Sequence, residues 1–340
     1  VSTAVEVPPG TAPPARPRRS LTSRPTGADI VFHRVTSTSA IIVLGIMLLV
    51  GSFLALRAAD ALSVAKLDFL TETKWEPDAH HFGIAGVLTG TVLIGLVAIL
   101  FAVPLATATA LYISEYAPAR LQRTFITLID LMAAVPSVVY GLWGFFFLQN
   151  QVVPLAQWIS ERFGWLPFLG IDTEGYVKGS ATSQNTVFTS STFIAGIVVA
   201  FMVTPIMCAL MREAFSQAPI GEREGAYALG STKWGMIRTV VLPFGKGGII
   251  GGSMLGLGRA LGETIAVYMV LSVVPAFQPN IFQNGGSSVS SLIALRYGEA
   301  QEFSLSALFA AGLALFLMTM AINFTASTIV ARSRSGAESG

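Results

Sequence analysis

Charge is scarce in this sequence. Of 340 residues only 12% are Asp, Glu, Lys or Arg, against about 25% in a soluble domain. Hydrophobic residues make up 53%, and the mean hydropathy is +0.66. That deficit excludes an ordinary soluble globule and indicates several membrane spans. Cysteine is nearly absent. Cys208 stands alone, which excludes an intramolecular disulfide and a multi-cysteine metal site; within its apolar run it reads as a small packed residue. The histidines are His33, His80 and His81. The adjacent pair follows a polar segment with no ligand-set spacing nearby, so it reads as a solvated loop. The phosphate-loop pattern G-x-x-x-x-G-K-[ST] is missing too. Its nearest fragment is Gly245–Lys246, but Gly247 follows where Ser or Thr is required and Val240 replaces the leading glycine. The chain is therefore expected not to be an enzyme, to bind no cofactor itself, and to draw energy from a partner or an ion gradient.

What is present is a series of apolar blocks. Six of them, at 39–57, 83–106, 124–149, 191–211, 248–275 and 304–330, approach the roughly 20 residues that a spanning helix needs. The sequence thus predicts an all-α membrane protein with six transmembrane helices. Residues 1–38, rich in Pro, Ser, Thr and Arg, read as a disordered cytoplasmic tail. Residues 39–331 form the transmembrane domain, with a cytoplasmic loop at 212–247, and 332–340 a C-terminal tail. The run Ala40–Leu56 exceeds the 7–15 apolar residues of a signal peptide, so it reads as a first span despite the small residues at Ala55–Ala59. Pro104 is expected to break or kink the second span, and Pro136 and Pro205 to bend the third and fourth. Carbonyls freed by these prolines need partners inside the membrane.

Lys and Arg set the orientation. Arg16, Arg18, Arg19, Arg24 and Arg34 precede the first span. Arg120 and Arg123, then Arg212, Arg223, Lys233, Arg238 and Lys246, occupy loops on that same side, and Arg332 and Arg334 follow the last span. The opposite side has fewer: Arg57, Lys66, Lys74, Arg162, Lys178 and Arg296. The positive-inside rule places both termini in the cytoplasm. Trp158, Phe163 and Trp165 suit anchoring at the outer interface.

The loop between the fourth and fifth spans divides into two short helices. Pro219 starts the first, and Glu222 and Glu224 lie in or near its first turn, where they suit the helix dipole. Gly230 ends it. Ser231 or Thr232 caps a second helix with Trp234, Ile237 and Val241 on one face, and Pro243 helps to stop it. Gly225 and Ala226 leave room for close approach by a partner. Glu224, Gly225, Ala226, Gly230, Val240, Leu242 and Pro243 follow the spacing of the "EAA" coupling loop of ABC importer permeases, and the stretch resembles it. Gly225 replaces the pattern's Ala, at a helix cost of roughly 0.8–1.0 kcal/mol, and Val240 replaces its Ile. The resemblance implies docking on an ATP-hydrolysing subunit through Glu224, Gly225, Ala226 and Gly230.

Arg259 and Glu263 interrupt the fifth block. At its centre each charge costs roughly 2.5–3.5 kcal/mol on insertion scales. On a continuous helix they share a face one turn apart, within about 80° of Gly248, Gly252 and Gly256. That face is expected to meet a partner helix or an aqueous path. Two readings stay open: a salt bridge that fixes helix register, and an arginine that presents its five-donor fork to an oxyanion, held in place by Glu263.

The segments "GRALGETIAVYMV" and "DLMAAVPSVVYGLWG" resemble the permease subunits of the phosphate-specific ABC importer, most nearly the PstC-type subunit. The likeness covers about residues 82–330. It implies a type I ABC importer (MetI-like) core of five helices with the first span outside. It also implies a PstA-type second permease chain, two PstB-type ATP-binding subunits carrying ATP and Mg, and an extracytoplasmic PstS-type phosphate-binding protein. In this family the matching Arg and Glu are implicated in phosphate passage; here they are Arg259 and Glu263. Ser137 and Tyr140, beyond Pro136, are further pathway candidates. Asp130 is expected to pair with Arg123 at the interface. The expected function is inorganic phosphate import across the bacterial plasma membrane. The alternatives are another oxyanion such as sulfate or phosphonate, a gradient-driven transporter, or a membrane scaffold.

Overall fold

The computed structural model describes residues 27–171, 180 and 186–335. Two units divide between Val50 and Gly51. Helix α1, Gly27–Ala65, crosses that division. It begins well before the expected span, so residues 27–38, read from composition as tail, are helical. No proline interrupts the chain between Pro25 and Pro77, and Asp29 lies in the first turn, where a negative charge suits the dipole. Residues 1–26, most of 172–185 and 336–340 lie outside the described residues.

After α1 the chain makes a small cap. A 3-10 turn, Lys66–Leu70, leads into an antiparallel hairpin of β1, Trp75–Glu76, and β2, His81–Phe82. His80 closes the turn at φ 58, and its exposed ring packs edge-on against Phe303 at 4.6 Å. The hairpin roots in a cluster of Phe69, Trp75, Phe82, Ile84, Leu292 and Leu308.

Helix α2, Ala85–Leu111, runs on through a π turn, Tyr112–Tyr116. The expected break at Pro104 is absent: the helix continues through it. Ala98, Ala102, Ala106 and Ala110 are fully buried at four-residue spacing, and this smooth row, packed on a neighbouring helix, outweighs the one backbone bond that Pro104 forfeits. Pro136 behaves differently. It forces Val135 into an extended conformation, ψ 128, ending α3, Ala119–Ala134. The chain restarts as α4, Ser137–Trp143, then a π turn, Gly144–Leu148, and α5, Gln149–Phe163. The pair is bent by 89°.

Helix α6, Thr192–Ser216, is the buried axis of the second unit and contains Pro205. Cys208 is buried in it, as expected. Next come α7, Ile220–Ala228, and α8, Lys233–Met236, the latter joined through a π turn, Ile237–Val241, to α9, Leu242–Leu261. Pro243 was expected to stop the second loop helix. It sits instead in the first turn of α9, where its missing N–H costs least, so Lys233–Leu261 is one apolar rod. The remaining helices are α10, Ile265–Val270, α11, Val289–Arg296, and α12, Glu302–Ser335.

Among the described residues, five helices are long and apolar enough to cross a membrane, and the bent pair makes a sixth candidate. The fifth block is the main correction to the expected spans: its helix starts earlier, at Lys233, and ends at Leu261 rather than reaching 275. The glycine ridge of α9 packs on α6 as its spacing requires. A Cβ at Gly248 would meet the Ala214 Cβ at 2.1 Å, and one at Gly256 would meet the Met207 sulfur at 2.4 Å.

Candidate functional site

Arg259 lies in the last turn of α9, and Glu263 lies beyond the end of that helix. The expectation that they share one continuous helical face is therefore overturned. Gly262 and Thr264 separate α9 from α10, and Glu263 turns to the second helix: its Oε1 accepts the Ala266 backbone N–H at 3.1 Å. A carboxylate there satisfies one of the free donors of a helix start and suits its dipole. The Glu263 carbonyl accepts the Ser290 hydroxyl at 2.7 Å, which ties the break to α11. Among the described residues, Arg259 and Glu263 form no ion pair. Arg259 is exposed and has no hydrogen-bond partner among them. Glu263 thus does not hold the guanidinium, and the register-fixing salt bridge is absent.

The two interrupted helices meet. A Cβ on Gly141 would approach the Ala266 Cα at 3.0 Å, and one on Gly144 would approach Val270 at 3.1 Å. So α4 and α10 run side by side in the same direction. Ser137 opens α4 as Ile265 opens α10, each just after a break in its apolar block. Tyr140 is half-buried, and its hydroxyl donates to the Met132 carbonyl at 2.9 Å. That carbonyl loses its usual helical donor at Pro136, which has no N–H, and accepts the Val135 N–H at 3.3 Å as well. The tyrosine proton is thus committed to the bend, while the hydroxyl of the half-buried Ser137 makes no hydrogen bond among the described residues. Asp130 is exposed and forms no ion pair with Arg123 among them, so that expected pairing is absent.

The α7–α8 elbow follows the sequence closely. Pro219 precedes α7 and Glu222 lies in its first turn. Gly230 ends it at φ +82. The Gly230 N–H bonds the Tyr227 carbonyl at 2.9 Å and the Ser231 N–H bonds the Ala226 carbonyl at 3.0 Å, the paired bonds of a Schellman motif. Thr232 caps α8 through the Gly235 N–H at 3.1 Å. Glu224, Gly225 and Gly230 are exposed, and a Cβ on Gly225 would meet nothing within 4 Å. Ile220, Leu229 and Trp234 are exposed as well; Ile237 and Val241 face inward, but Trp234 does not join them.

Sequence reading missed what anchors this elbow. Arg223 Nη1 lies 3.1 Å from Glu115 Oε1, and its Nη2 donates to the Phe215 carbonyl at 2.6 Å. Ser114 donates to the same carboxylate at 2.8 Å. Lys233 lies over the Tyr116 ring at 4.8 Å. A lone carboxylate closing the second apolar block was the available signal.

Residues 99–335 match the family described as "Binding-protein-dependent transport system inner membrane component". The chain is 38% identical over 305 residues to the phosphate transport system permease protein PstC 2 of Mycobacterium tuberculosis, covering 88% of this chain and 90% of that protein. It is 35% identical over 319 residues to the phosphate transport system permease protein PstC of Xylella fastidiosa, covering 92% and 95%. Its fold is similar to a chain of a bacterial ABC transporter involved in import of the acidic polysaccharide alginate, at a TM-score of 0.53, 15% identity, and 90% and 96% coverage.

Proposed function

The chain belongs to the family of binding-protein-dependent transport system inner membrane components, and on that footing we propose that it is the permease subunit of an ATP-driven importer of inorganic phosphate. It is a multi-pass membrane subunit, not an enzyme, and works in a complex with other subunits. The substrate follows from relatives named as phosphate transport permeases across most of their length. In this reading the complex holds a PstA-type second permease chain, two PstB-type subunits that bind ATP and Mg, and a PstS-type phosphate-binding protein outside. Both termini are placed in the cytoplasm of a bacterial plasma membrane, the side that the Lys and Arg bias favours.

The observation that carries the passage reading is Arg259: exposed, at the end of a membrane-spanning helix, with no partner among the described residues. An unpaired guanidinium is expensive in lipid and useful where an oxyanion passes, because its planar fork matches oxyanion geometry. Glu263 acts at one remove, by fixing the start of α10 and so the position of the break. Ser137, at the start of α4, supplies a hydroxyl; Tyr140 holds the bend before it.

Coupling runs through the elbow. The ATP-binding partner grips α7 around Glu224, Gly225, Ala226 and Gly230. Its closure moves α7, and Arg223 passes that movement to the ends of α2 and α6. The continuous rod from Lys233 to Leu261 carries it to Arg259. The test is radiolabelled phosphate and sulfate uptake by vesicles holding the full complex, with and without ATP. ATP-dependent uptake of phosphate is expected, and its loss in Arg259→Gln with the complex intact. Normal phosphate uptake by Arg259→Gln, or uptake without the ATP-binding subunits, overturns the reading.

A further inference from the structure

Helix α12 contributes a polar side chain beside the break that no charge or motif marks. Asn323 lies within the apolar, membrane-length part of α12. Its amide lies on Gly258, the residue before Arg259: a Cβ at Gly258 would sit 3.0 Å from Asn323 Oδ1 and 3.7 Å from Nδ2. Glycine is what makes room for the amide there. Asn323 is exposed and its side-chain amide makes no hydrogen bond among the described residues. The neighbouring hydroxyls on α12 behave otherwise: Thr319, Thr325 and Thr328 each bond a carbonyl of their own helix. The Asn323 side chain therefore carries two donors and an acceptor with no partner among the described residues. A free amide in a spanning helix belongs on a bundle interior or a polar path. The residue it lies against, Gly258, immediately precedes Arg259 in the last turn of α9, within reach of that long side chain's unpartnered charge.

We propose that Asn323 is a second hydrogen-bonding residue of the anion path, acting with Arg259 on a protonated tetrahedral oxyanion. This rests on the passage reading of Arg259 and extends it. The two groups divide the chemistry. Arg259 offers only donors, so it holds the charged oxygens of any tetrahedral anion. The Asn323 amide offers N–H to a charged oxygen and, through Oδ1, an acceptor for an O–H. Monohydrogen phosphate carries such a proton; sulfate at neutral pH does not. An acceptor facing sulfate is set against oxygen lone pairs with no proton between them, which repels.

The test compares Asn323→Leu, which keeps the side-chain size and removes hydrogen bonding, with Asn323→Ser, which keeps a donor and an acceptor. Both are assayed in the full reconstituted complex beside Arg259→Gln. The Leu variant is expected to copurify with its partner chains in normal amounts, yet to take up phosphate about ten-fold more slowly, the scale of one hydrogen bond to a charged group. The Ser variant is expected to recover part of that loss. Normal uptake by Asn323→Leu while Arg259→Gln is inactive overturns the role of Asn323 alone. Normal uptake by Arg259→Gln overturns the passage reading beneath it. Loss of the partner chains from the Leu complex shows that Asn323 is an adhesive between helices, and overturns the proposal.

Discussion

The guanidinium of Arg223 on α7 lies 3.1 Å from the buried carboxylate of Glu115 at the end of α2. Its second nitrogen donates to the Phe215 carbonyl near the end of α6. One side chain thus fastens a short, otherwise exposed helix to two spanning helices. The elbow is held at Arg223 and free along the face of Gly225 and Gly230, as a lever between a moving partner and the bundle must be.

Removing one half of that fastening leaves the other half buried and unpaired. Glu115→Ala is expected to destabilise the complex by roughly 3 kcal/mol, the low end for a broken buried pair because Arg223 keeps some contact with solvent. More diagnostic is the ratio of phosphate imported to ATP hydrolysed in proteoliposomes. It is expected to fall in Glu115→Ala and in Arg223→Ala, since the partner's stroke no longer reaches α2 and α6. An unchanged ratio in both variants removes the lever role.

Glu263 separates two ideas cleanly. Its carboxylate caps α10 and does not meet Arg259. Glu263→Gln keeps an oxygen that accepts the Ala266 N–H, so it is expected to leave melting temperature and uptake near those of the unmodified protein. Glu263→Ala removes the cap and is expected to cost about 1 kcal/mol, in the range of lost helix caps. If charge is what matters, the Gln variant fails as badly as the Ala variant, and uptake measured side by side shows which.

Two glycines of the elbow should respond in opposite directions. Gly230 holds φ +82, where a side chain costs roughly 1–2 kcal/mol; Gly230→Val is expected to lower both stability and ATP-coupled uptake. Gly225 is helical and open on its outer side. Gly225→Ala is expected to stabilise α7 by roughly 0.8–1.0 kcal/mol and to preserve uptake. Limited proteolysis of the elbow, read beside the uptake assay, ranks the two.

Much of the architecture was already written in the chain. The scarcity of charge determined a membrane protein, the apolar blocks marked most of its spans though not the bounds of the fifth, and Pro219, Gly230 and Thr232 delimited the elbow, because local propensity and capping act within a few residues of chain. The four-residue glycine spacing announced a close-approach face on α9, and the fold supplied α6 as its partner. Folding alone decided the rest. Pro104 and Pro136 are the same residue type in similar apolar runs, yet one helix continues and the other turns by 89°. Only packing distinguishes them: the alanine row of α2 is buried on a neighbour, whereas α3 has no buried residue to hold it straight. The spacing of Arg259 and Glu263 suggested a pair, but a spacing becomes a contact only if the helix between them is unbroken. Arg223 with Glu115, and Asn323 with Gly258, are far apart in sequence, and no local rule joins residues that only the folded bundle brings together.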